Sequence, residues 1–227
     1  MTQPTIKTIP ITRIKFPEIK LQTRDAHKLR GYFGNLFKEH STVLHNHYDD
    51  GRLRYKYPEV QYKVIDQIPT LIGIKEGAEL LPQLFLKIKN LDIDGQKYNG
   101  NTKNIAHENV EAGFSSNLHT YKFQTLWMAL NQQNYAKYQK VNDQEKHDML
   151  NSILVGHILG FFRNIDLELQ PHERLMSKVD VTEKSTNFKE NKMIAFQGGF
   201  VANAILPNEI GLGKSVSRGF GTISKSS

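Results

Sequence analysis

The chain has 227 residues, enough for one large domain or two small ones, and either can bury a core. Hydrophobic residues make up 38% and charged residues 23%, which excludes a disordered or fibrous chain. There is no cysteine, so disulfide scaffolds, thiolate zinc sites, iron–sulfur clusters and cysteine nucleophiles are excluded together. A reducing, cytoplasmic setting is allowed by that composition and is the expected location. Lys and Arg outnumber Asp and Glu by 30 to 23, a net charge of +7. The surplus is spread over both halves, +4 before Gly113 and +3 after it, so a polyanionic partner would contact both. The opening Met1-Thr2-Gln3-Pro4-Thr5 lacks a basic segment followed by an apolar one, and the longest nearly apolar run, 153–162, is broken by His157. Neither a signal peptide nor a membrane span is expected, since a span needs ~20 apolar residues.

Along the chain, residues 5–16 alternate around Ile9, Ile11, Ile14 and Phe16 with a proline interruption, which predicts a strand at or near an edge. From Thr23, a plausible N-cap, Ala26, Leu29, Phe33, Leu36 and Phe37 recur at helical spacing and predict an amphipathic helix ending near Lys38. Residues 40–57 have no clean period and carry the turn signal Asp49-Asp50-Gly51, so they read as a long loop, a length that often marks function. Two strands follow, Val60 to Val64 and Thr70 to Ile74, separated by Pro69. A helix over 79–88 and a closing strand over 105–110 complete the half. The order strand, helix, strand, strand, helix, strand is that of a ferredoxin-like unit.

After Gly113 the pattern begins again. Residues 121–129 alternate as a strand, Asn142 or Asp143 caps a long helix with a stripe from Met149 to Ile165, and strands are predicted at 175–181 and 193–206 around the polar stretch 182–192. The second helix of this half would be short. The predicted class is therefore α+β with two tandem ferredoxin-like domains, 1–113 and 114–227, joined near 112–118.

The most informative segment is Ile210-Gly211-Leu212-Gly213-Lys214-Ser215-Val216-Ser217-Arg218-Gly219-Phe220-Gly221. Its glycines allow close backbone approach with exposed N–H groups, and Lys214, Ser215 and Arg218 supply charge and donors, so phosphate is the natural guest. Turn formation before a last strand is the structural alternative. A Walker loop is excluded because Asn208 stands where its first glycine must be, and a dinucleotide fingerprint fails at Val216.

His40, His45 and His47 cluster in the loop after the first helix. Two imidazoles one residue apart can supply a neutral ring that takes a proton and a cationic ring that gives one. A metal site is the competing use of His-x-His, but the basic Arg52 and Arg54 that follow favour phosphate over a divalent ion. The bland alternative is a pair of surface histidines. His147-Asp148 reads as a surface pair, His157 as a core histidine, and Trp127 with its aromatic neighbours as core rather than a base-stacking platform.

Three stretches carry a family resemblance: Leu29-Arg30-Gly31-Tyr32-Phe33 with the histidine loop behind it, Tyr57-Pro58-Glu59-Val60-Gln61-Tyr62-Lys63, and the glycine-rich segment 211–221. In these the chain resembles the CRISPR-associated repeat-processing endoribonucleases of the Cas-six family, in the branch with a His-x-His loop. The resemblance implies two ferredoxin-like domains, the first carrying the histidine loop and the second the glycine-rich loop. It also implies cleavage within the CRISPR repeat, without metal or other cofactor, leaving 2′,3′-cyclic phosphate and 5′-hydroxyl ends. His45 and His47 fall at the family's loop histidines, with Lys38, Tyr48, Arg52 or Arg54 available to the charged phosphorane. Arg24, Lys28, Arg52, Arg54, Gly211, Gly213, Lys214, Ser215, Arg218, Gly219 and Gly221 form the expected RNA-binding set. Repeat RNA is the expected partner, with other CRISPR effector subunits and a homodimer as further expectations. The alternatives are a non-catalytic RNA-binding subunit and a metal-dependent hydrolase using His40, His45, His47 and Asp49.

Overall fold

The computed structural model describes residues 3–36, 57–188 and 191–226. In chain order the elements are β1 (Ile6–Lys15), a 3-10 turn (Thr23–Asp25), α1 (Ala26–Leu36), β2 (Val60–Ile65), β3 (Ile68–Ile74), α2 (Glu76–Phe85) and a short hairpin of β4 (Asn90–Ile93) and β5 (Gln96–Asn99). There follow β6 (Asn104–Phe123), α3 (Gln132–Tyr138), α4 (Asp143–Asn164), β7 (Ser177–Phe188), β8 (Asn191–Ile205), a second 3-10 turn (Val216–Arg218) and β9 (Ile223–Lys225). Among the described residues, no helix is long and apolar enough to cross a membrane. The chain forms two compact units. The N-terminal unit comprises Thr8–Val110 with Ser217–Gly219, and the C-terminal unit comprises Met1–Lys7, Glu111–Val216 and Phe220–Ser227.

In the N-terminal unit the strand order is β2-β3-β1-β6, with β3 antiparallel to both β1 and β2. Read as first to fourth strands of a βαββαβ unit, this is the order 2-3-1-4. The register of β2 on β3 is fixed by a two-residue turn, Asp66-Gln67, with φ of 51° and 65°, the twist a tight hairpin requires. Helix α1 buries Ala26, Leu29 and Phe33 at helical spacing. Phe33 lies between the rings of Phe16 and Tyr62, with centroids 6.2 and 5.9 Å away, and all three side chains are fully buried. Polar groups tie β1 to its neighbours as well. The single proton of the Thr12 hydroxyl is donated to Ala78 O at 2.6 Å, so the same oxygen must accept from His107 Nδ1, 2.7 Å away. Beside it, Arg13 of β1 pairs with Glu108 of β6.

The C-terminal unit repeats the plan. Strands β7, β8 and β6 are neighbours in that order and β9 pairs with β6, so the strands β6, β7, β8, β9, with α4 after the first, again give the order 2-3-1-4. Helix α4 starts in a capping box: the Asn142 side chain accepts from Glu145 N–H at 3.0 Å, and Glu145 accepts from Asn142 N–H at 3.1 Å. It buries Leu150, Leu154, Ile158, Phe161 and Phe162. The expected α+β class is the observed one, and the short second helix of this half is the turn Val216–Arg218.

Several expectations are corrected. Thr23 does not cap α1: the chain enters through the 3-10 turn, in which the Asp25 carboxylate accepts Gln22 N–H at 3.0 Å. The expected end of α1 near Lys38 lies outside the described residues. Pro69 does not separate two strands; it is inside β3, opposite Val64. Gly113 does not break the chain into two strands. One 20-residue strand, β6, runs through it, while Thr125–Ala129 lie outside that strand. Glycine is needed at 113 because a Cβ there would collide with the backbone of Thr5 and Ile6, and Phe114 N–H donates to Thr5 O at 2.8 Å. The strands extend well into the polar stretch 182–192: β7 reaches Phe188 and β8 begins at Asn191, paired from Ser177–Ala202 to Phe188–Asn191. Helix α3 and the hairpin β4–β5 carry too few apolar positions to show a period, and periodicity does not predict them.

The aromatic stack yields a stability prediction. Phe33→Ala removes the central ring of a fully packed trio and should cost about 3–5 kcal/mol in urea unfolding, with an unchanged m-value.

Candidate functional site

The glycine-rich segment is built on a short stretch of backbone, 125–128, that follows β6. Trp127 N–H donates to Phe196 O at 2.8 Å, and Phe196 N–H donates back to Trp127 O at 2.9 Å, which fixes this stretch to β8. The carbonyls on either side of Trp127 are taken by the segment itself: Gly221 N–H donates to Leu126 O at 2.9 Å and Lys214 N–H to Met128 O at 2.9 Å. Leu212 N–H donates to Gly221 O at 2.9 Å, and Thr222 N–H to the Thr125 hydroxyl at 2.9 Å. Gly211 and Thr222 form an isolated antiparallel bridge.

The glycines are therefore explained within the chain. Gly213 has φ of +99°, and a Cβ there would sit 2.8 Å from both Met128 O and Trp127 Nε1. At Gly221 a Cβ would collide with the Leu212 backbone. The expectation that backbone N–H groups face a ligand is corrected at Leu212, Lys214 and Gly221, whose amides are bonded internally. The Lys214 side chain is exposed, and Ser215 is half-buried with φ of 57°.

Trp127 is fully buried, and its ring is stacked on Phe123 at 5.1 Å with an interplanar angle of 7°. Its indole N–H donates to Nδ1 of His157, on α4, at 3.3 Å. His157 is thus neutral, with its proton on Nε2. Burial, reinforced by the Lys214 ammonium, pulls its pKa down to about 4. Trp127 has the core role expected of it, while His157 is half-buried with its ring against the indole.

Ser217–Gly219 belong to the N-terminal unit. Gly219, with φ of +87°, lies against Ala26 of α1 and the β2 backbone; a Cβ would be 2.7 Å from the Ala26 Cβ and 3.2 Å from Tyr62 O. Arg218 is half-buried, and burial together with the charge of Arg30 lowers its pKa. In the sequence Arg30 stands out only as part of a motif, because nothing in the spacing places it beside Arg218. Arg24 is exposed. Lys28 is held between Asp25 at 3.1 Å and Asp94 at 3.0 Å, hydrogen bonds that raise its pKa. The structure therefore brings Arg218 next to α1, while Lys214 stands on the C-terminal unit. Lys38, His40, His45, His47, Tyr48, Asp49, Arg52 and Arg54 all lie outside the described residues. Among the described residues, no three His, Asp or Glu side chains gather as a metal site.

Two βαββαβ units with a cation-bearing, glycine-rich segment before the last strand define a tandem ferredoxin-like protein. Residues 7–111 match the Cas6b N-terminal domain and residues 113–226 the Cas6b C-terminal domain. The chain belongs to the Cas6b family. It is 32% identical to a Cas6b protein of known crystal structure, superposing with a TM-score of 0.92 over 97% of this chain and 100% of that one. A second crystal structure, of the CRISPR RNA processing endoribonuclease Cas6b, is 29% identical with a TM-score of 0.79 over the same shares. The uncharacterized protein MJ0978 of Methanocaldococcus jannaschii is 34% identical over 145 residues, which are 62% of this chain and 95% of that protein.

The His157 site makes stability depend on pH. Its pKa is lower folded, about 4, than unfolded, about 6.5, so the unfolded chain binds more protons between these values. The contribution is fully present above pH 6.5 and is lost as pH falls to 4, by roughly 3 kcal/mol. Urea unfolding across this range should show the loss, and His157→Asn should flatten it.

Proposed function

We propose that this Cas6b protein is an endoribonuclease that cuts CRISPR precursor RNA within the repeat, by a metal-independent attack of the ribose 2′-OH. The observation that carries this reading is the match of both halves to the Cas6b domains, joined to the likeness to the CRISPR RNA processing endoribonuclease Cas6b. The histidine loop lies in the half 1–113 and the glycine-rich loop in the half 114–227.

In the reaction, one imidazole of His45 and His47 takes the proton from the 2′-OH, whose oxygen attacks the adjacent phosphorus. The other imidazole protonates the leaving 5′ oxygen as the P–O bond breaks. The products are a 2′,3′-cyclic phosphate and a 5′-hydroxyl, so neither water nor a metal ion is consumed. Lys38, Tyr48, Arg52 and Arg54 are the candidates to stabilise the charge that builds on the phosphorane. Lys214, Ser215 and Arg218 hold the strand, with Arg24 exposed for the same purpose. Lys28 reaches a phosphate only by exchanging Asp25 and Asp94 for it.

Incubating a labelled repeat RNA with the protein in EDTA tests the chemistry. Cleavage is expected at its full rate, with the 5′ fragment resistant to end-labelling at its 3′ end until its cyclic phosphate is opened and removed. Binding without cleavage would favour a non-catalytic subunit, and activity restored only by a divalent ion would favour a metal-dependent hydrolase. Replacing His45 and His47 together with Ala should lower the cleavage rate by at least ~10²–10⁴-fold while RNA affinity changes little. For the glycine-rich segment, Lys214→Ala/Arg218→Ala should flatten the log–log salt dependence of binding to single-stranded RNA by ~0.7 for each phosphate no longer neutralised. An unchanged slope with unchanged affinity would remove both residues from the RNA interface.

A further inference from the structure

We infer that Trp127 and His157 are positioning residues for RNA binding: the hydrogen bond between them holds the indole edge that supports Gly213 and thereby fixes where Lys214 presents its charge. The inference rests on the proposed contact between the glycine-rich segment and RNA.

The geometry runs in an unbroken chain. Gly213 lies so close to the indole that a Cβ would be 2.8 Å from Nε1 and 2.9 Å from Cδ1, so the position of the Trp127 edge dictates the position of the Gly213 backbone. The next residue is Lys214, whose N–H donates to the carbonyl of Met128, the residue after Trp127. Both backbone anchors of Lys214 are therefore set by Trp127 and its neighbour. Its side chain, in contrast, is exposed. A flexible cation on a fixed base is suited to a phosphate whose place is set by the rest of the RNA.

The indole itself needs a partner. A buried Nε1–H without an acceptor carries the desolvation cost of an unmade hydrogen bond, and His157 Nδ1 at 3.3 Å supplies the acceptor. The imidazole is also edge-on to the indole, with centroids 5.8 Å apart and planes at 89°. His157 is carried by α4, a 22-residue helix, on the same face as the buried Leu150, Leu154 and Phe161 that anchor the helix in the core of the unit. The pair thus transmits the rigidity of α4 to a segment that has little regular structure of its own. The stacking on Phe123 and the bridge to Phe196 fix the plane and the backbone of Trp127, but neither satisfies the N–H.

Three variants of the full chain test this: Trp127→Phe, which keeps an aromatic ring but removes the N–H; His157→Leu, which removes the acceptor; and His157→Asn, whose amide oxygen can stand where Nδ1 stood. Binding of labelled repeat RNA is measured over a salt series, at a temperature where circular dichroism shows every variant folded. Trp127→Phe and His157→Leu should each weaken binding about tenfold and lower the salt slope by ~0.7, the change expected when one phosphate is no longer neutralised. The double variant should be no weaker than either single one, because both remove the same interaction. His157→Asn should recover both affinity and slope.

Wild-type affinity and slope in His157→Leu, with only a lowered melting temperature, would overturn the inference and leave the pair a purely structural one. The comparison of His157→Leu with His157→Asn carries the test without disturbing the stack around Trp127. If Lys214→Ala/Arg218→Ala leaves binding unchanged, the RNA-contact reading itself fails and the inference falls with it. That outcome differs visibly from one in which Lys214→Ala lowers the slope and His157→Leu does not.

Discussion

The reciprocal pair of backbone hydrogen bonds between Trp127 and Phe196 is the constraint on which the C-terminal half of the molecule is assembled. Once the Trp127 peptide groups are committed to β8, the carbonyls of Leu126 and Met128 need other donors. Each hydrogen bond nets only about 1 kcal/mol, but a buried carbonyl left unmade would cost more than that. Gly221 and Lys214 provide the donors, and in doing so bring the segment 211–221 down onto the 125–128 stretch. The glycines at 213 and 221 follow from that approach, since at both places a side chain would occupy space already filled by the indole or by the Leu212 backbone. The sequence pattern most suggestive of a ligand is thus in large part a consequence of how closely the chain folds upon itself.

The N-terminal half depends on a different kind of contact. Its core is centred on the buried rings of Phe16, Phe33 and Tyr62, which come from β1, α1 and β2 or the residues just beyond them. Aromatic packing of this kind is tolerant of small shifts in a way that a polar network is not. A polar network lies four residues earlier on the same strand, where Thr12 links α2 to β6 through one hydroxyl and His107 is held as the Nδ1–H tautomer. The aromatic contacts fix α1, the helix that bears Lys28 and Arg30 and follows Arg24, against the sheet.

Periodicity made α1 legible through Leu29 and Phe33 and α4 through its stripe from Leu150 to Phe162; the alternation of Val60, Tyr62 and Val64 marked β2 as well, although the polar residues between them are also buried. It failed where a local signal had a non-local cause. Gly113 reads as punctuation, yet it sits inside an unbroken strand because Thr5 passes too close for a side chain. Pro69 reads as a separator, yet β3 accommodates it opposite Val64. The hairpin β4–β5 and helix α3 are too short for a period to emerge. Of the candidate site, the glycines and Lys214 were visible as a pattern. That Trp127 and His157 support them was not, because residues 127, 157 and 213 are brought together only by the tertiary fold. The histidine pair was legible as chemistry and as a family resemblance, and residues 37–56 lie outside what the structure describes.

Arg218 and Arg30 point to how a binding surface of this kind draws its affinity. Both guanidinium groups belong to the N-terminal unit, and the charge of Arg30 adds to burial in making the protonated form of Arg218 more costly than it would be in water. Like charges held close are a standing cost to the folded chain, and one that salt only partly screens when the groups are half-buried. In the proposed function a phosphate converts that cost into attraction, since one anion between two cations removes their repulsion as well as pairing with each. Lys28 on the same helix already holds two carboxylates, Asp25 at 3.1 Å and Asp94 at 3.0 Å, so a phosphate reaching it has to displace both.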